Sequence, residues 1–143
     1  MNHDTVCLLR ECASGIQMAV RSLNDMQPGT SDARLRQLLA DSRQTHERLG
    51  NETQALLRQM GAPWQDAPSV ALAMSRMKTG WKLMWQPGDE AVADLVTDGC
   101  DMGVKTISRC CNRFPQASGE ARRIARSLIE TEQRLTEDVR QFL

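Results

Sequence analysis

Apolar residues recur three and four apart along four long stretches of the chain, the spacing of a single helix face. From His3 to Met26, the residues Val6, Leu9, Ala13, Ile16, Val20 and Leu23 make an unbroken seam. A second stripe, Leu8, Cys12, Gly15, Ala19 and Met26, lies about a quarter turn around, with small residues that let a neighbour come close. From Ser31 to Met60 the shared face is Leu35, Leu38, Ser42, His46, Leu49, Thr53, Leu56 and Met60. A third helix over 89–114 turns Val92, Leu95, Val96, Gly99, Met102, Gly103, Thr106 and Cys110 inward, its glycines marking close approach to a neighbouring backbone. A fourth, over 118–142, carries Ala121, Ile124, Leu128, Thr131, Glu132, Leu135, Val139 and Phe142.

Breakers and capping residues punctuate these stretches. Asn2 or Asp4 can cap the first helix, and Thr30 or Ser31 the second, with Asp32 in its first turn. Asp89, after Pro87-Gly88, and Ser118 are the expected caps of the third and fourth, while Gly61 and Pro63 end the second. Between the second and third helices, Pro68 opens a shorter helix over about 68–85 with Val70, Met74, Met77, Trp81 and Met84 on one face. Its expected role is to cover the bundle, and it is also the expected contact for a partner. A crossover of that length lets the third long helix run parallel to the second. The expectation is therefore one all-α domain over 1–143, a four-helix bundle with an additional short helix in the crossover.

Composition narrows the function. Eighteen basic and eighteen acidic residues cancel, which argues against a nucleic-acid binder that relies on a basic patch. The N-terminal residues lack the pattern of a signal peptide, and no stretch reaches the ~20 apolar residues of a membrane span, so the cytoplasm is the expected compartment and membrane attachment is not expected. Five cysteines without a Cys-x-x-Cys pair then read as reduced thiols. Cys12 and Cys110 fall on or beside inner faces; Cys7, Cys100 and Cys111 point toward edges or outward.

Two helices, a long crossover with its own short helix, and two more helices is the layout of the ferritin-like fold. The runs His46-Glu47-Arg48-Leu49-Gly50-Asn51-Glu52, Met74-Ser75-Arg76-Met77-Lys78-Thr79 and Asp94-Leu95-Val96-Thr97-Asp98-Gly99-Cys100-Asp101-Met102-Gly103-Val104-Lys105 resemble a family of small bacterial ferritin-like four-helix bundles of unknown function. The resemblance spans essentially the whole chain and implies that fold. It brings no substrate, cofactor or catalytic residue with it.

The residues themselves do not supply a ferritin-like di-iron site, which takes a Glu from each of two helices and a Glu-x-x-His from each of the other two. Arg43 stands three residues before His46, the fourth helix has no histidine, Glu11 lies nearly opposite the first seam, and Asp98 is at the edge of its face. His46 and Glu132 remain as polar residues on inner faces. They are expected to share a layer, with Ser42, Thr53, Thr106 and Thr131 satisfying their remaining hydrogen-bonding capacity. Such a buried layer fixes register, and His46→Leu would then leave the protein folded. His3 reads as a helix-end residue. The function expected on these grounds is a non-enzymatic bundle protein acting through association with itself or with a partner protein. The alternative is a metal-binding or redox protein of the ferritin-like class that holds iron, manganese or copper at His46 and Glu132.

Overall fold

A computed structural model describes residues 2–63 and 88–143 of the chain; the expected crossover helix over about 68–85 lies outside the described residues. The four long helices are α1 (His3–Met26), α2 (Ala33–Gln59), α3 (Asp89–Arg113) and α4 (Gly119–Val139). Single 3-10 turns follow α1 at Gln27–Gly29 and α4 at Arg140–Phe142. Among the described residues all regular structure is helical, so the chain is an all-α bundle.

Hydrogen bonds at the helix ends set the directions. The first turn of α1 holds the turn between α3 and α4: the Gln116 N–H donates to Asp4 Oδ2 at 2.9 Å, and the Ser118 N–H donates to Thr5 Oγ1 at 2.8 Å. At the other end, the Asp89 carboxylate accepts from the backbone N–H groups of Ser31 at 2.7 Å and Asp32 at 3.0 Å. The starts of α2 and α3 therefore lie together, so these helices run the same way, opposite to α1 and α4. It follows that α2 ends and α3 begins at opposite ends of the bundle. The extensive helix contacts are α1–α2, α3–α4, α2–α4, α1–α4 and α1–α3, which leaves α2 and α3 across a diagonal.

Two expected caps move. Asp32, not Thr30 or Ser31, caps α2 by accepting from the Leu35 N–H at 2.9 Å, so the helix begins two residues later. Thr30 instead donates its hydroxyl to the Met26 carbonyl. Gly88, at φ 122°, takes the cap position of α3, which frees the Asp89 side chain to bridge to α2. Asn2 and Ser118 cap α1 and α4 as expected.

The core forms two clusters along the bundle. One gathers Leu8, Leu9, Ile16, Leu57, Ile107, Ile124 and Leu128; the other gathers Leu23, Leu35, Leu39, Val92, Val96, Leu135 and Val139. Each fully buried leucine or isoleucine contributes about 2 kcal/mol relative to exposure. On α2 the buried His46 falls between Leu39 and Leu57, with Ser42 and Thr53 also buried there, and on α4 the buried Glu132 falls between Leu128 and Leu135. The polar layer thus falls at the junction of the two clusters.

The helix α3 is turned from its expected orientation. Met102 is 65% exposed and Thr106 is exposed, whereas Cys100 and Ile107 are buried in their place. Both stripes of α3 carry apolar residues, so packing against α4 decided between them. The consequence is a cleft between α1 and α3, bordered by the small residues of both helices.

Candidate functional site

The cleft is a groove of about 580 Å³ that runs along α1 from Glu11 to Met26 and along α3 from Leu95 to Ile107. The fifteen helical steps from Glu11 to Met26, at about 1.5 Å each, make it on the order of 20 Å long. Its walls are Gly15, Met18, Ala19 and Ser22 from α1 and Gly99, Met102, Gly103 and Thr106 from α3. His46 of α2 and Glu132 of α4 reach it from the far side of the bundle.

His46 and Glu132 do meet. The ring is 1% exposed and the glutamate 6%, and His46 Nε2 lies 3.6 Å from Glu132 Oε1. His46 Nδ1 lies 2.8 Å from the Ser42 carbonyl oxygen, which can only accept, so Nδ1 carries a hydrogen. That bond locks the ring and turns Nε2 toward Glu132 and the groove. The Glu132 carboxylate in turn packs against Gly103: a Cβ placed there would overlap Oε2. The glycine is therefore a cradle for a side chain, not for a neighbouring backbone, and among the described residues nothing lies within 4 Å of where the Gly99 Cβ would be.

The expected satisfaction of this layer does not occur. Thr53 and Thr131 turn back and donate to the carbonyls of Leu49 and Ser127 on their own helices, both at 2.7 Å. Thr106 lies exposed on the groove wall. Ser42 alone takes part, through its carbonyl and with its hydroxyl 3.4 Å from Nδ1. Among the described residues, His46 Nε2 and Glu132 Oε2 are buried and have no hydrogen-bond partner. Leaving such groups unpaired costs about 1–3 kcal/mol each, so their presence calls for a reason.

A histidine that donates Nδ1–H to a backbone carbonyl and presents Nε2 has the arrangement of a metal ligand. The donor set around it is thin: among the described residues no group of three His, Cys, Asp or Glu side chains comes together to hold an ion. Glu11 and Asp98 line the groove but are exposed. Cys100, expected near an edge, is buried on the groove beside Glu132; burial first, and the carboxylate second, push its thiol up to about 12. Burial likewise pushes Cys12 up to about 12, with Cys111, Cys110 and Glu11 adding to it. Both are protonated at neutral pH and are poor nucleophiles.

Three features escaped the sequence. The Gly103 cradle needs a known neighbour; the burial of Cys100 depends on the turn of α3; and His3 Nε2 lies 3.4 Å from Cys7 Sγ, a pairing that the four-residue spacing does signal. No helix among the described residues is long and apolar enough to cross a membrane. The chain matches no family model, no curated protein and no solved structure.

Proposed function

We infer that this is a non-enzymatic bundle of ferritin-like layout, without a di-iron centre, that works by holding another molecule in the groove between α1 and α3. The layout is supported by helix directions: α2 and α3 run together and α1 and α4 oppose them, with the end of α2 and the start of α3 at opposite ends. Binding is supported by one observation above all: a groove of about 580 Å³ leads to two buried polar atoms, His46 Nε2 and Glu132 Oε2, that have no hydrogen-bond partner among the described residues. A mostly apolar cleft of that size with a few convergent polar groups suits a small molecule. This reading differs from the association with itself or a partner protein expected from the sequence, because a flat protein surface laid over α1 and α3 would not reach those atoms.

The test is a calorimetric titration of the full chain with 1-octanol, an uncharged amphiphile. Saturable binding is expected, and its loss in Gly99→Phe, which fills the groove from a position with open space. No binding to the wild-type chain, or full retention in that variant with unchanged helicity, would overturn the reading.

The locked ring of His46 favours one second reading, a metal-binding or redox protein using His46 and Glu132. Protein purified without chelators would then carry stoichiometric iron, manganese or copper, and His46→Gln would abolish it. Metal-free protein that still binds octanol would leave the first reading alone.

A further inference from the structure

We propose that the molecule held in the groove carries a protonated amine, so that the site selects a small alkylammonium amphiphile with its head between His46 and Glu132. This rests on the groove being a binding site and adds what the site recognises. The charged side chains among the described residues that line the groove are Glu11, Asp98 and Glu132, with His46 as the sole nitrogen base. Lysine and arginine do not occur among them. A carboxylate or phosphate head would meet like charge at the mouth and again at the inner wall.

The inner pair also asks for donors. With Nδ1–H given to the Ser42 carbonyl, the ring in its neutral form presents a lone pair at Nε2, and an ionised glutamate presents only oxygens. With Nε2 unprotonated, Nε2 and Oε1 are two acceptors 3.6 Å apart, and a group rich in N–H bridges them, which an ammonium supplies and an ether, ester or carboxylate does not. A hydroxyl brings one hydrogen and no charge. A divalent cation would also suit two acceptors, yet it needs more protein ligands than the pair offers. An alkylammonium head carries three N–H donors, two of which this pair can accept, and the apolar arm formed by Leu23, Met26, Leu95 and Leu135 is placed to take its tail.

Octylamine, 1-octanol and octanoate share one tail and differ in the head, so calorimetry of the full chain with each reads the head alone. Octylamine is expected to bind at least tenfold tighter than octanol, and octanoate weakest. Glu132→Gln is expected to reduce octylamine affinity by a much larger factor than octanol affinity, and the exposed Asp98→Asn to do so to a smaller degree. Equal affinities for octylamine and octanol, or preference for octanoate, would overturn the amine head while leaving the groove as a binding site. Failure of all three to bind would overturn the binding reading itself.

Discussion

His46 and Glu132 are the residues whose removal should be most informative. Taking away one partner leaves the other's buried polar group alone, so His46→Leu and Glu132→Leu should each destabilise the fold by about 3–5 kcal/mol in urea unfolding. The double variant should recover most of that loss, since an apolar pair of similar volume can replace a buried polar one. This differs from the sequence expectation for His46→Leu, because that expectation assumed a fully satisfied layer. The glycines of α3 give a second contrast. Gly99→Ala, with free space around its Cβ, should stabilise the helix by about 0.5–1 kcal/mol, whereas Gly103→Ala must displace the Glu132 carboxylate and should destabilise. Thermal unfolding of the two variants should move in opposite directions. That His46 and Glu132 face inward was legible from spacing alone. That their free atoms go unpaired was not, because Thr53 and Thr131 choose rotamers that bond their own helices, and periodicity carries no rotamer.

Among the elements, the starts of α2 and α3 are held together by one carboxylate. Asp89→Ala removes both bonds to the Ser31 and Asp32 N–H groups and should cost about 1–3 kcal/mol, with the first turns of α2 and α3 losing amide-exchange protection before the rest. Asp89→Asn should recover part of the loss, since its side-chain oxygen still accepts. Long apolar periods and breakers placed the four helices to within a few residues, which is why α1 was readable from its seam. The turn of α3 was not readable: Gly99, Met102, Gly103 and Thr106 make as good a helical stripe as the one containing Cys100 and Ile107. Packing against α4 settled the choice, and the groove is its by-product.

For the whole molecule, buried thiols make stability depend on alkaline pH, Cys12 and Cys100 above all, with Cys110 raised in the same direction by burial. Cys12 and Cys100 are held near 12 against an ordinary value of 9.0, so the folded chain keeps a proton that the unfolded chain gives up. Their contribution is complete below pH 9 and lost as pH rises from 9 toward 12, on the order of 4 kcal/mol for each thiol. Urea unfolding from pH 8 to 10.5 should show a falling midpoint, and Cys12→Ala with Cys100→Ala should flatten that decline. The helical class and single-chain bundle were readable from composition and period together. The relation between helices was less so: the parallel course of α2 and α3 was an inference from crossover length, and end-to-end hydrogen bonds now supply it directly.

The chain has two histidines, His3 at an exposed helix end and His46 in the polar layer, so its imidazole nitrogen spectrum reduces to two ring systems. Recording that spectrum while octylamine is added tests the binding site most directly. The His46 Nε2 resonance should shift saturably while His3 stays in place. A His46 resonance that does not move under saturating octylamine, or equal shifts at both rings, would contradict a site built on His46 and Glu132.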